Sequence, residues 1–231
     1  NPNCSTIQLV VALNPIHRCN PLKRVIVDTY QSVSGAGAGG VQELQQQTNA
    51  FIQGYKLERN IMPHRIAFNV IPEIDSLLDN GYFNEEWKMI QETKKILHAP
   101  RLNISATAVR VPVYIGHSEA VHLELSHPMD PQEIRELLAD APGVQLLDNP
   151  SASLYPVPVD AAGTDDVYVG RIRKDVSHPN GIAMWVAADN IRKGAALNTI
   201  QVAEILVARL ANDSHISACR LPSKIGPLVE T

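Results

Sequence analysis

The chain is short of several residue types, and each shortage excludes something. It has three cysteines, Cys4, Cys19 and Cys219, an odd and sparse set without a CxxC pair. That is a poor disulfide framework and suits a reducing compartment such as the cytoplasm. The eight histidines form neither HxxxH nor HExxH, so the sequence expects no metal site. Aromatic residues are only 5%, which leaves little material for base stacking. With 20 basic and 24 acidic residues the formal charge is −4, so nothing pulls the chain toward nucleic acid or an anionic membrane. No apolar run approaches the ~20 residues of a membrane span. The opening "NPNCSTIQ" has no initiator Met, basic n-region or apolar h-region, and so does not read as a signal peptide. Repeats and low-complexity blocks are missing as well.

What remains is an ordinary globular composition, 231 residues with 45% apolar content, enough for one large domain or two small ones. The patterning predicts a helix over 5–14, a strand in "KRVIVDTYQSV" (23–33) and a glycine-rich loop, "SGAGAGG" (34–40), opening into a helix of about 14 residues. A further strand is expected in "HRIAFNVIP" (64–72). A helix follows over 84–98, with Asn84 as cap, Glu early and Lys late. Strand-like alternation marks 104–116 and 117–126. "DPQEIRELLADAPG" (130–143) is a short amphipathic helix punctuated by Pro131 and Gly143. Residues 144–166 read as loop, 166–175 and 181–190 as strands, 193–210 as a long apolar helix, and the tail to Thr231 is weakly patterned. Together these predict an α+β fold: a mixed, mainly antiparallel sheet with helices on one face.

Several residues could carry chemistry. Cys4 sits where an Asn-Pro turn feeds a helix. The free N–H groups and positive dipole end there favour a thiolate and could hold an oxyanion, with the N–H groups of Cys4 and Asn3 as donors. On that ground Cys4 should be the most reactive of the three thiols, although a free cysteine is equally at home as a small buried hydrophobe. His117 alone reads as a polar residue at a strand end, and Gln31 as a turn-stabilising side chain. Glu85 and Lys88 read as a solvated i,i+3 ion pair. Arg110 lies seven residues before His117. That odd spacing would put the two on opposite faces of one strand, so Pro112 and Gly116 must mark a bend between them. "GAGAGG" suggests a phosphate-cradling loop, but the Gln-rich helix behind it has no acidic residue at the right distance. A tight strand-to-helix turn fits better.

In order along the chain, "NPNCSTIQLVVALNP", "VDTYQSVSGAGAGG", "EEWKMIQETKKIL", "TAVRVPVYIGHSEAV" and "NIRKGAALNTIQVAE" resemble the aspartate-β-semialdehyde dehydrogenases over nearly the whole length. The resemblance implies a C-terminal domain of the glyceraldehyde-3-phosphate dehydrogenase kind. It implies a catalytic and dimerisation domain over 1–190, and a helix and tail over 191–231 that would pack on an NADP-binding Rossmann-type domain not contained in this chain. The implied reaction is the reversible, NADPH-dependent reductive dephosphorylation of L-aspartyl-4-phosphate to L-aspartate-4-semialdehyde and phosphate, through a cysteine thioester. Residue by residue, it implies Cys4 as nucleophile, His117 as acid–base and Gln31 as a substrate contact. Arg110 would read the carboxylate, Glu85 the ammonium and Lys88 the phosphate, Asn3 would be a further substrate contact, and Asn198 would lie near the nicotinamide. A cytoplasmic homodimer is implied, with these 231 residues alone inactive. A related N-acetylglutamyl-phosphate reductase, a non-catalytic dimerisation module and a cysteine hydrolase built on Cys4 and His117 are the competing readings.

Overall fold

The computed structural model describes residues 1–218, with side chains to 211; Cys219 and the rest of the tail lie outside the described residues. Helix α1 (Cys4–Cys19) starts at Asn3, whose side-chain oxygen accepts from Ser5 N at 2.9 Å and Thr6 N at 3.0 Å. It runs five residues past the expected end, through Pro15. Leu9, Ala12, Leu13 and Ile16 are fully buried, and that packing outweighs the hydrogen bond that proline removes. Strand β1 (Leu22–Gln31) follows. A 3₁₀ turn (Val33–Ala36) then leads into α2 (Gly37–Gln53). The expected glycine loop is therefore helical almost throughout. Its Gly40 packs so closely that a Cβ would lie 2.5 Å from Val33 O, so close packing accounts for this glycine without a phosphate.

After α3 (Asn84–Ile96) come β2 (Asn103–Arg110), β3 (His117–Leu125), α4 (Pro131–Ala139), β4 (Val144–Leu146), α5 (Pro158–Ala161), β5 (Val167–Lys174) and β6 (Gly181–Ala188). A π-helical turn, Arg192–Ala196, opens into α6 (Leu197–Ala218). Phe83, not Asn84, is the cap residue of α3, and its N–H donates to Glu86 at 2.8 Å. The six strands run in the order β2-β1-β3-β6-β5-β4, with β1–β2 and β4–β5 parallel and the other three pairs antiparallel. The sheet is thus mixed and mainly antiparallel. Helices α1, α3 and α4 cover one face, and Leu13, Val27, Val121, Met89 and Ile134 share the core between them.

Three expectations need correction. Segment 64–72 is not a strand: Phe68 has φ 57°, Asn69 N turns back to Ile66 O, and Ile71 forms only an isolated bridge with Arg110. Its β-branched residues serve a small second core, where Ile66 and Ile71 pack with Val33 and Leu44, and Gln47 accepts from Ile66 N at 2.9 Å. The region read as loop hides β4 and the four-residue α5, both too short for periodicity to show. Finally, the segment Arg192–Ala211 is long and apolar enough to cross a membrane by length and composition, yet only 6% of it is buried. Arg192, Lys193, Glu204 and Arg209 interrupt its apolar run, which hides its length in the sequence.

Candidate active site

Strand parity and sheet order gather the site. On β1 the inward positions include Val25, Val27 and Gln31; on β2 they include Ala106, Ala108 and Arg110. Gln31 pairs directly with Arg110, and Tyr30 with Ser118 beside His117. Three neighbouring strands therefore bring Gln31, Arg110 and His117 to one edge of the sheet, on the face that α1 covers. The expected bend between Arg110 and His117 is present at 111–116. It closes on Gly116 at φ 95°, where a Cβ would meet Pro158 O at 2.8 Å.

A cleft of about 390 Å³ opens at this edge, lined by Asn3, Cys4, Gln31, Gly35, Ile74, Asp75, Glu85, Lys88 and Arg110. Six of the eight sequence-derived site residues thus share one cavity. Glu85, in the first turn of α3, accepts from Asn3 Nδ2 at 2.7 Å and from Gln31 Nε2 at 3.2 Å. Arg110 is buried and donates through Nη1 to Ser32 O at 2.9 Å; among the described residues no carboxylate pairs with it. Lys88 does not pair with Glu85. It reaches Asp75 at 2.8 Å, a bond that holds Asp75 below and Lys88 above the usual range.

The structure places the other two residues apart from the cleft wall. His117 is fully buried behind Gly35: a Cβ on that glycine would lie 2.6 Å from Arg110 Nη1 and 3.4 Å from His117 Nε2. Asn198, on α6, donates to Asn1 Oδ1 at 2.6 Å, so it stands beside the start of the chain. The preceding π turn touches the cysteine, since a Cβ on Gly194 would lie 2.9 Å from Cys4 Cβ.

Two expectations about Cys4 change. Its thiol is pushed up from an ordinary 9.0 to about 11, first by burial and then by the Glu85 charge; the N–H groups at the helix start and Arg110 pull it down less strongly. The Asn3 N–H is not a free oxyanion donor, because it donates to Glu92 at 2.8 Å. His117 is pushed down to about 3 by burial and by Arg110, and so is neutral. Sequence reasoning missed Asp75, Glu92, Gly35, Gly194 and the buried Ser32, Ser34 and Asn190 that surround the histidine. Among the described residues no group of three or more His, Cys, Asp or Glu gathers as for a metal ion.

The semialdehyde dehydrogenase dimerisation-domain model matches residues 13–193. An aspartate-semialdehyde dehydrogenase from Aquifex aeolicus is 52% identical over 208 residues, covering 90% of this chain and 61% of that protein. Among solved structures, aspartate semialdehyde dehydrogenase II from Vibrio cholerae, complexed with ASA, superposes with a TM-score of 0.88 at 49% identity. It covers 90% of this chain and 61% of its own. At lower similarity, the Candida albicans enzyme with NADP gives a TM-score of 0.67 at 26% identity, over 90% of this chain and 56% of its own. The chain therefore spans about three-fifths of the relatives it matches.

Proposed function

Because the chain belongs to the semialdehyde dehydrogenase dimerisation-domain family, we propose that its cleft is the acyl-transfer centre of an aspartate-semialdehyde dehydrogenase. The enzyme would convert L-aspartyl-4-phosphate to L-aspartate-4-semialdehyde and phosphate, reversibly, in cytoplasmic amino-acid biosynthesis. The carrying observation is the cleft's arrangement of charge around one thiol: a buried Arg110 without a carboxylate partner and a buried Glu85 flank Cys4.

The chemistry follows from those groups. Arg110 offers a forked donor to the substrate's α-carboxylate, and Glu85 receives its α-ammonium. An N-acetylated substrate has no ammonium for Glu85, which favours this reading over N-acetylglutamyl-phosphate reductase. Glu85 opposes ionisation of Cys4, so an ammonium that neutralises Glu85 also releases the thiol toward thiolate. The thiolate then attacks the acyl carbon, phosphate leaves toward Lys88, and a thioester forms on Cys4. Gln31, anchored on Glu85 and on Thr29 Oγ1 at 3.3 Å, orients the acyl group without titrating. His117 serves the reacting oxygen from behind Gly35.

The residues present suit only one end of NADP(H). Gly194 and Asn198, on the open side of Cys4, would flank the nicotinamide, and the cofactor when bound would supply or take the hydride. Among the described residues no glycine loop is left to cradle the rest of the dinucleotide, so residues 1–231 alone should not bind NADPH tightly. The apolar face of α6, with Ile200, Val202, Ile205, Leu206 and Leu210 all more than half exposed, would pack on the portion of the relatives that this chain does not match. The bare sheet face, carrying Tyr30 stacked 5.2 Å from Trp185, would meet a second copy in a homodimer.

The test is the half-reaction. Incubation with L-aspartyl-4-phosphate should release phosphate and leave an acyl adduct on Cys4 in the intact mass. The adduct should be abolished by Cys4→Ser and severely reduced by Arg110→Leu. An adduct on another residue, or the same yield from Arg110→Leu, would overturn the assignment.

A further inference from the structure

His117 is held by a buried polar network that joins three chain segments. Ser32 N, a backbone donor with no alternative role, lies 3.1 Å from His117 Nδ1. Nδ1 must therefore present its lone pair, and in the neutral ring the proton resides on Nε2. Ser32 Oγ lies 3.1 Å from the same nitrogen and 3.0 Å from Asn190 Oδ1, and its single proton serves one of the two at a time; with Ser34 Oγ donating to Ser32 Oγ, that proton is free to point at Nδ1. Asn190 is buried just beyond β6. Its amide orientation is fixed, because Oδ1 accepts from Gly116 N at 2.8 Å, a bond that a flipped amide could not accept. Its Nδ2 donates to Ser34 Oγ at 3.0 Å, and Ser34 Oγ in turn lies 3.0 Å from Ser32 Oγ. The other ring nitrogen, Nε2, is buried without a partner and faces bare Gly35 on the cleft wall.

We propose that Asn190 is a positioning residue: through Ser32 and Ser34 it holds His117 in the single tautomer with the proton on Nε2, aimed past Gly35 at the cleft. The inference rests on His117 serving the reacting oxygen. The free protein then meets its substrate with an imidazole that is a hydrogen-bond donor. The ring can then support negative charge developing on the acyl oxygen. The burial and the Arg110 charge that keep the ring neutral support this assignment. Gly35 is part of the device. A Cβ there would lie 3.4 Å from Nε2, so a larger residue would screen the donor.

The tautomer can be read without turnover. In the full chain labelled with ¹⁵N at histidine, long-range ¹H–¹⁵N correlation at neutral pH distinguishes protonated from unprotonated ring nitrogens, and His117→Gln assigns the signal. The expected wild-type pattern is one protonated nitrogen, Nε2. Asn190→Ala should move both nitrogen shifts toward the average of the two tautomers. Ser34→Ala, which removes one partner of the amide with less risk to the fold, should move them the same way by a smaller amount. Ser32→Ala cuts the hydroxyl link between Asn190 and the ring and should move the shifts as Asn190→Ala does, to the extent that the backbone donor Ser32 N does not hold the tautomer by itself. A wild-type ring protonated on Nδ1 or on both nitrogens would overturn the proposal. So would unchanged shifts in both Asn190→Ala and Ser34→Ala. If His117 proves dispensable for turnover while the Nε2–H tautomer and its Asn190 dependence are seen, the functional reading fails and the positioning network stands.

Discussion

Alkylation of Cys4 should be slow in the unliganded chain, and the rate can be worked out. A thiol at about 11 is ionised to about one part in a thousand at pH 8, against roughly a tenth for an ordinary cysteine at 9.0. That is a deficit of about 90-fold. The more basic thiolate is intrinsically the better nucleophile, by about 6–10-fold over 2 units at a Brønsted slope of 0.4–0.5. The net expectation is alkylation roughly tenfold slower than a free cysteine derivative, and slower than the exposed Cys19 of the same chain. Iodoacetamide labelling across pH 6–10.5, mapped by peptide mass, measures it. The Cys4 rate should climb through pH 10 without a plateau. Two variants should displace the profile in opposite directions. Glu85→Gln removes the opposing charge and shifts the profile to lower pH; Arg110→Leu removes the favouring one and shifts it higher. Addition of an amino-acid ligand with a free ammonium should mimic Glu85→Gln. A Cys4 rate that levels off below pH 9, or no displacement in Glu85→Gln, would refute the reasoning.

Other consequences are as direct. Gly35→Ala puts a methyl 2.6 Å from Arg110 Nη1 and 3.4 Å from His117 Nε2, so the half-reaction yield on Cys4 should fall at least tenfold while the melting temperature changes little. Glu119 is fully buried two residues from His117 on the inward face, and burial, only partly offset by the Gln8 amide, raises it well above the usual carboxylate range. Its folded-state value exceeds the unfolded one, so its contribution is complete below about pH 4.5 and is lost as pH rises above that. Glu119→Gln should therefore raise stability at pH 8 and flatten its decline from pH 5, as thermal unfolding across pH would show. His117 acts in the opposite sense. Its folded value is depressed, so stability is lost as pH falls from about 6.5 toward 3, and His117→Gln should lessen that acid-side loss in the same experiment. Leu13→Ala empties a fully buried position between α1 and the sheet and should cost about 3 kcal/mol by urea unfolding.

Periodicity alone read the longer helices and the five longer strands well, because each buries one face against a common core. It failed where packing overrides pattern. Ile66 and Ile71 look like strand residues and instead fill the small core beside α2. At the site, parity correctly required a bend between Arg110 and His117. The resemblance then brought six residues to one cleft. What the sequence could not show is the environment. Cys4 at a helix start suggests an acidic thiol, and only the structure reveals the burial and Glu85 that reverse it. Glu85 and Lys88 have ion-pair spacing, yet Lys88 turns to Asp75. Ser32 and Asn190 are uncharged, carry no motif, and sit 158 residues apart before they touch.

That separation sets an order of events when the chain folds. Ser32 meets Arg110 across 78 residues and His117 across 85, and β1 finds β2 in parallel, a pairing that no hairpin can initiate. Helices α1 and α4 can form early from local contacts, but the cleft exists only once α1, α3, β1 and β2 have come together. Before that assembly Cys4 has neither Glu85 nor Arg110 beside it, and its thiol is an ordinary, unprotected one. Pulse alkylation during refolding should find Cys4 shielded in the slowest phase, after most of the helical signal has returned.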